Sequence, residues 1–502
     1  MNESICEKDN KRLDTGLFVL GSISLGLIFV YLAMQMNGGD RDFLWHTMLG
    51  KLILENKSLP VADTFSWLSV ERGYTEFAHS WLGSVLISVV VDFFSDLGYN
   101  VFFGGRVFAL FWYVVCMLVV YFGFFRGRLS IGYTVSCALI GLKYGVIRMQ
   151  NMSDVIFLLE CCILFKAKKK EQLYWLPLLT LVCANIHGGM SPLLIGLGFV
   201  YLMWQFIPDF SIGCFEHKRR MLGDMRKTCF VALLLSCLTI LVNPYGFDLC
   251  RYFMHVQDKT FPMQYICEWQ PIPTENLGYR VLLILLLAVA IRRRKTNVLE
   301  YGVVLGFTIL SFKCARFMEY GLVGSAMLLS DCGMDWHLLV QRLRETGCKD
   351  RSIKSLCLVA QTIVGLFVVL FGSVLLIFSF LGSKTGGEYN ALPVEAVECL
   401  KEQNFQRPYC EYNIGSSLIY EGFQSFVDSR EDLFGDEELH DMMALLMQQK
   451  NTDELDALLD KYQFDGAVLF KKGSRLFANY IGHRTDWELC YDDGKVVIYR
   501  RL

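Results

Sequence analysis

Two carboxylates and an imidazole lie close together in a polar stretch that directly follows the first long apolar segment of the chain. They are Asp40, Asp42 and His46, within residues 38–46. Ionised groups beside lipid are costly unless they pair with or bind something. A carboxylate in such a place can serve as a general base or as a ligand for a hard cation. The alternative is a solvated loop in which the aspartates only mark the end of a helix.

The composition of the chain is that of a membrane protein. Its 502 residues are 53% hydrophobic and only 20% charged, and the mean hydropathy is +0.36. A soluble protein of this size would be more polar. The formal net charge of −2 gives no reason to expect a nucleic-acid partner. Most of the 18 cysteines stand singly in apolar runs, as small core residues do, and they match no zinc spacing.

Long apolar segments predict a polytopic, mainly α membrane domain over residues 1–382, with about eleven to twelve helices. The first has no small-residue cleavage site, which favours a retained signal anchor. The candidate spans are Thr15–Met36, Val101–Phe124, Ile131–Tyr144, Met152–Phe165, Tyr174–Ile186, Met190–Ile207, Thr228–Val242, Tyr279–Ile291, Val298–Phe312, Phe317–Leu329 and Leu356–Phe380.

Lysine and arginine clusters between these spans predict the orientation in the cell membrane. Clusters at 8–12, 126–128, 166–170, 218–227, 292–295 and 342–354 should be cytoplasmic, as should the N-terminus. The first outward loop then covers about residues 37–80. Trp81–Phe94 is apolar enough to cross, but a crossing there would invert every later loop. We therefore expect this segment to be re-entrant or to lie along the interface.

Residues 383–502 predict an extracytoplasmic α/β domain. Helical patterns cover Pro393–Gln403, Asp436–Gln449 and Asp453–Tyr462, and strand-like runs cover Gln424–Asp428, Gly466–Phe470, Trp487–Tyr491 and Val496–Tyr499. The last two runs are joined by Asp492-Asp493-Gly494, which is typical of a hairpin. Asp428 and Arg430 form either a structural pair or a group that closes over an acceptor.

The first outward loop carries several short motifs in a fixed order. Apolar residues between Phe43 and Ile53 recur at helical spacing, which predicts a helix in the interface plane. The motifs are Asp-aromatic-x-Trp-His at 42–46, Gly-x-x-Ile-Leu at 50–54, Pro-x-x-Asp-x-Phe-Ser at 60–66 and His-Ser-Trp-Leu at 79–82. The stretch resembles the opening of a bacterial, protein mannosyltransferase-like branch of the GT-C glycosyltransferase superfamily.

The resemblance continues through most of the chain. Asn-x-His-Gly-Gly at 185–189, Asn-Pro-Tyr-Gly at 243–246 and Glu-Trp-Gln-Pro at 268–271 are similar to outward motifs of that branch. Residues 426–433 resemble its Asp-Gly-Arg-x-Asp motif. The chain departs from the pattern at Ser80, where the branch has glutamate, at Ser429, where it has glycine, and at Met149, where it has proline.

The resemblance implies a polyprenyl-phosphate-linked sugar as donor and an acidic residue of the first outward loop as base or metal ligand. Asp42, or its neighbour Asp40, is the candidate base. The departing phosphate needs a cation, and Arg148 and Arg316 are candidates because arginine offers bidentate donors. The alternative for each arginine is an interfacial side chain whose charged end reaches the surface.

The remaining candidates for substrate binding lie in the same outward segments: His46, Asp63, His79, Trp81, His187, Glu268 and Trp269. Trp269 could stack on a sugar, or it could fix its loop at the interface. Asp40 and Asp42 would be the ligands of any metal, with Mg²⁺ or Mn²⁺ favoured by carboxylate oxygens. Each histidine has the alternative of a satisfied core or interfacial residue.

The sequence therefore predicts a membrane glycosyltransferase that works at the outer face of the bilayer on a glycan, lipid or protein acceptor. A transporter or flippase of a lipid-linked substrate is the second hypothesis. The third is a catalytically inactive GT-C-like scaffold in envelope assembly, which the serine at position 80 favours.

Overall fold

The computed structural model describes residues 19–30, 41–126, 131–213, 215–221, 223–256, 260–272, 283–284, 296–330 and 391–502. Most of the described residues before 331 are helical. Helices α1 to α14 cover Val19–Val30, Asp42–Asn56, Trp67–Arg72, Trp81–Asp96, Val101–Val119, Ile131–Lys143, Gln150–Lys166, Trp175–Ile186, Ser191–Trp204, Asp224–Thr239, Asp248–Val256, Phe261–Tyr265, Val298–Ser311 and Phe317–Ser330. A π-helical turn, Val120–Phe124, continues α5, and β1 to β3 (Phe210–Ile212, Phe215–His217, Thr296–Asn297) form a small sheet.

The apolar segments predicted between residues 101 and 329 are helical wherever the structure describes them, with ends shifted by a few residues. Val101–Phe124 is the one helix of the described residues that is long and apolar enough to cross a membrane. Four shorter apolar helices accompany it: Val19–Val30, Gly188–Trp204, Val298–Ser311 and Phe317–Ser330. Leu356–Phe380, most of Tyr279–Ile291, the ends of Thr15–Met36 and the domain boundary at 382 lie outside the described residues.

Helix α2, predicted from the spacing of its apolar residues, is covered on more than one side. It packs along α4, and a Cβ at Gly50 would lie 2.1 Å from the Ser84 carbonyl oxygen, so this crossing requires glycine. The C-terminal domain covers α2 as well, since Ile419 belongs to the same apolar cluster as Trp45 and Leu49. Packing against protein therefore buries the apolar residues that the sequence pattern assigned to the interface.

Both ends of α4 contact other segments of the chain. At its start, the Gly188 N–H donates to the His79 carbonyl oxygen at 3.3 Å. At its end, the Phe94 ring packs edge-on against Phe103 in the first turn of α5, with centroids 5.2 Å apart. That Trp81–Phe94 does not cross the membrane stays a prediction, made from the charges of the loops.

The C-terminal domain is α/β, as predicted. Its sheet has the order β4-β5-β7-β6, in which β4 is parallel to β5 and the other pairs are antiparallel. The strands are Pro408–Cys410, Gly466–Phe470, Trp487–Asp492 and Val496–Arg501, and helices α15 to α19 are Val394–Gln403, Tyr412–Tyr420, Asp436–Met447, Thr452–Tyr462 and Arg475–Gly482. The predicted hairpin is present, with Gly494 at φ 85° in its turn.

The predicted strand at Gln424–Asp428 is wrong. This segment makes a single bridge, between Ser425 and Ser66 of the first outward loop. The Ser425 N–H donates to the Phe65 carbonyl oxygen at 2.9 Å, and the Trp67 N–H donates to the Ser425 carbonyl oxygen at 3.0 Å. The backbone of this segment bonds to the loop and so attaches the domain to it. The edge of the sheet is instead formed by the short strand β4, which the sequence pattern did not predict.

Candidate functional site

The candidate base Asp42 lies in the first turn of α2, where the helix dipole favours a negative charge. Its neighbour Arg41 fixes this turn to the C-terminal domain. The Arg41 guanidinium donates to the Ala391 carbonyl oxygen at 2.5 Å and to Ser417 Oγ at 2.6 Å. Burial, then the charges of Glu431 and Asp42, raise the pKa of the Tyr412 phenol, which places Asp42 beside α16. Asp40 lies outside the described residues.

His46 and Trp81 join elements of the loop to one another. The buried His46 ring stacks on Trp45, with centroids 3.6 Å apart, and its Nδ1 lies 2.8 Å from Ser84 Oγ of α4. Trp81 Nε1 donates to Asn185 Oδ1 of α8 at 3.0 Å. Both contacts fit the alternative of satisfied interior side chains, and they hold α2, α4 and α8 at fixed positions around the loop.

Two guanidinium groups flank one carboxylate where Arg148 follows α6, Glu268 follows α12 and Arg316 precedes α14. Arg148 forms an ion pair with Glu268, and Arg316 Nη2 lies 3.9 Å from the other oxygen of that carboxylate. Arg316 also lies 5.2 Å above the Trp269 ring. Burial opposes ionisation of Glu268, but the charges of Arg316 and Arg148 lower its pKa below the usual value. Two guanidinium groups therefore share the one carboxylate of Glu268.

His79 and His187 lie together, with ring centroids 6.5 Å apart. His187 Nδ1 lies 3.1 Å from Ser153 Oγ, and the His79 ring stacks on Tyr252 at 5.1 Å. Desolvation lowers the pKa of His79, against the charge of Asp432. His79 is therefore a neutral hydrogen-bonding group at neutral pH.

The C-terminal domain contributes two carboxylates that the sequence analysis did not select. Tyr412 Oη donates to Glu431 Oε2 at 3.0 Å, and Tyr252 Oη donates to the carboxylate of Asp432. Burial, and then the charge of Asp432, raise the pKa of Glu431, whereas Arg316 lowers it. Glu431 thus lies within electrostatic reach of the arginine group. The signal in the sequence was the acidic pair inside the motif at 426–433.

Asp63 belongs to a different part of the structure, the ion cluster of Asp63, Glu76, Asp428 and Arg430, here called the Arg430 cluster. Arg430 Nη1 lies 2.6 Å from Asp63 Oδ1 and also contacts Glu76, while Nη2 lies 2.7 Å from Asp428 Oδ2. Asp63 accepts two further bonds from the N–H groups of Phe65 and Ser66. Asp63 therefore takes part in the contact between loop and domain, and its role in substrate binding stays a prediction. Sequence spacing could not reveal Glu76 as its companion.

A second ion cluster lies among the apolar helices and was also missed. Lys143 of α6 pairs with Asp154 of α7, and its Nζ lies 3.5 Å from Glu319 of α14. Lys143 and Asp154 are almost completely buried, with 4% and 0% of their side chains exposed. Ionisable residues within apolar helices are rare, and they commonly mark a functional pathway.

The structure does not test the metal hypothesis for Asp40 and Asp42. Within the described part of the chain, no group of three or more His, Cys, Asp or Glu side chains is arranged to hold a metal ion. Carboxylate oxygens of Asp42 suit Mg²⁺ or Mn²⁺, and the dependence on a divalent cation stays a prediction.

The comparisons with known proteins identify the fold. No family model matches the chain, and no curated protein matches its sequence. The structure is similar to ArnT from Cupriavidus metallidurans bound to undecaprenyl phosphate, with a TM-score of 0.51 and 11% identity, over 96% of this chain and 97% of that chain. It is also similar to the oligosaccharyltransferase of Archaeoglobus fulgidus in the apo form, with a TM-score of 0.50 and 10% identity, over 90% of this chain and 69% of that chain. This likeness shows that the chain shares the fold of these two proteins.

Proposed function

We propose that this protein is an integral membrane glycosyltransferase that moves a sugar from a polyprenyl-phosphate donor to an extracytoplasmic acceptor. The observation that carries the proposal is the group of Arg148, Glu268 and Arg316, in which two guanidinium groups share one carboxylate near the loop that holds Asp42. The similarity to ArnT, in a structure bound to undecaprenyl phosphate, supports the choice of donor.

The chemistry needs a base and a cation at separate places. The acceptor oxygen attacks the anomeric carbon, and its proton passes to Asp42. The bond between that carbon and the phosphate oxygen breaks, and the polyprenyl phosphate leaves with the electron pair. Its charge rises from −1 to −2, and arginine donors stabilise that developing charge. The sugar is transferred with inversion in a single displacement.

A transporter of a lipid-linked substrate is the second candidate, and the cluster of Lys143, Asp154 and Glu319 favours it. Charged side chains inside apolar helices suit a transport pathway. However, Lys143 and Asp154 pair with each other and are buried, whereas Arg148, Glu268 and Arg316 keep 22%, 25% and 31% of their side chains exposed. The accessible charge therefore belongs to the arginine group, which is where we expect the donor phosphate to bind.

A transfer assay tests the proposal. Purified full-length protein in nanodiscs is incubated with a panel of polyprenyl-phosphate sugars, each with Mg²⁺, with Mn²⁺ or with chelator, and released polyprenyl phosphate is measured. Release that requires an acceptor and is lost in Asp42→Asn supports the enzyme. Movement of lipid-linked sugar between leaflets without release would support the transporter, and inactivity in both assays would leave the scaffold hypothesis.

A further inference from the structure

A pocket of about 300 Å³ lies where the first outward loop, α11 and the C-terminal domain meet. This volume is at the lower end of the range of about 300–1,000 Å³ that is usual for small-molecule sites. Its walls combine aromatic rings with carboxylates, the main ones being Trp45, Tyr74, Phe77, Tyr252, Glu76 and Asp432. The pocket is distinct from the arginine group, since none of Arg148, Glu268 and Arg316 lines it.

The aromatic wall is a continuous stack. Phe77 lies between Tyr245 and Tyr252, at centroid distances of 4.1 and 4.5 Å, and Tyr252 continues the stack to His79 at 5.1 Å. The faces of Phe77 and Tyr252 pack against their neighbours in the stack, so a ligand in the pocket would meet ring edges and the tyrosine hydroxyls. The stack also connects the pocket to the histidine pair of the candidate site.

The indole N–H of Trp45 provides a second, independent sign of a ligand. Trp45 lines the pocket and is only 8% exposed, yet its Nε1 has no hydrogen-bond partner among the described residues. A buried donor without a partner costs about 1–3 kcal/mol, so such groups are rare unless something else satisfies them. A hydroxyl of a bound molecule would satisfy this donor.

The charge of the pocket selects against anions. Arg430 is the cation of the lining, and its guanidinium is occupied by Asp63, Glu76 and Asp428. Three carboxylates with one guanidinium leave the Arg430 cluster acidic, and Asp432 adds a further carboxylate at the wall. A phosphate would be repelled here and attracted to the arginine group, whereas sugar hydroxyls can donate to these carboxylates.

We propose that this pocket is the acceptor subsite and that it binds an uncharged pyranose ring of a glycan. That the bound sugar is the acceptor rests on the proposed function, whereas the binding of a sugar rests on the pocket itself. Asp432 is adjacent to Glu431, which interacts with Arg316, and Glu431 accepts a bond from Tyr412 beside Asp42. These interactions connect the pocket to the arginine group and to the helix turn that holds Asp42.

Ligand-observed NMR tests the proposal on the full-length protein in nanodiscs. The probes are the methyl pyranosides of glucose, mannose, galactose and N-acetylglucosamine, measured by saturation transfer, and binding of undecaprenyl phosphate is measured in parallel. We expect at least one glycoside to bind the wild type. Phe77→Ala and Trp45→Phe should each weaken it about 3- to 10-fold, by loss of an aromatic wall of the pocket or of the indole donor.

Matched controls use the same substitutions at exposed positions. Phe247→Ala and Trp175→Phe change rings that are each 58% exposed and do not line the pocket, so glycoside binding should be unchanged. Unchanged undecaprenyl phosphate binding in Trp45→Phe shows that the variant is folded. If no glycoside binds a wild type that binds undecaprenyl phosphate, or if pocket and control variants behave alike, the acceptor subsite is refuted and the glycosyltransferase proposal stands. If glycoside binds but undecaprenyl phosphate does not, the sugar pocket is supported and the donor is refuted.

Discussion

Replacing Arg430 by methionine should open the contact between the first outward loop and the C-terminal domain. The side chain is 2% exposed, and its partners Asp63, Asp428 and Glu76 are 0%, 0% and 6% exposed. Removing one member of a buried ion cluster leaves uncompensated charge and costs about 3–5 kcal/mol. That free energy corresponds to an increase of at least about 100-fold in the population of the open contact.

Hydrogen exchange reports this opening directly, because backbone bonds cross the contact. The Ser425 N–H donates to the Phe65 carbonyl oxygen and the Trp67 N–H donates to the Ser425 carbonyl oxygen. In Arg430→Met, peptides that contain Trp67 or Ser425 should exchange at least about 100-fold faster than in the wild type, whereas peptides from α18 should be unchanged.

Arg407 offers a matched control, since its pair with Glu71 joins the same loop and domain at 2.9 Å. That pair is exposed, with 34% and 50% of the two side chains accessible, and an exposed pair contributes about 0–1 kcal/mol. Arg407→Met should therefore accelerate exchange by no more than about 5-fold. Adding Asp428→Asn to Arg430→Met should recover part of the protection. Equal effects of Arg430→Met and Arg407→Met, or no effect of either, would refute the reasoning.

The remaining predictions concern charge, phosphate binding and topology. Asp42→Asn should lower turnover by about 10²–10⁴-fold without changing donor affinity, because it removes the base. Asp40→Asn should lower turnover less, unless both carboxylates hold a metal, in which case excess cation should partly restore the turnover of both variants. Measuring turnover and donor affinity for each variant distinguishes these outcomes. Arg316→Ala should raise the KM for the donor and lower kcat. If bidentate hydrogen bonding by the guanidinium matters, Arg316→Lys should restore less than half of the lost kcat/KM. Steady-state kinetics with varied donor concentration measure both parameters. Burial raises the pKa of Glu76 from 4.5 to about 7, although the charge of Arg430 lowers it. The folded state therefore binds a proton at Glu76 that the unfolded state releases, and the contact between loop and domain should lose stability as the pH rises from about 4.5 to 7. Glu76→Gln should flatten that part of the pH profile of thermal unfolding, and an unchanged profile would contradict the assignment. Protease added to intact spheroplasts should remove residues 388–502, and protection of that segment would exclude an outward C-terminal domain.

Local pattern determined the helices and part of the site. Long apolar runs produce helices whatever they pack against, because each helix satisfies its own backbone hydrogen bonds. The hairpin at Asp492–Gly494 was equally local, since its turn needs a residue with positive φ. Among the candidate residues, Arg148, Glu268 and Arg316 were each selected from their places at outward helix ends, and the structure brings them together.

The partners of these residues were decided only by the tertiary structure. Asp63 and Arg430 are 367 positions apart, and no periodicity relates a loop carboxylate to a guanidinium in another domain. The same holds for Glu76, and for Glu431 and Asp432, whose position beside the arginine group depends on how the C-terminal domain docks. The segment 424–428 was misassigned for this reason, because its strand-like residues bond to the loop and not to the sheet. Ion pairs and docking contacts depend on distance in space, and sequence patterns record only the distance along the chain.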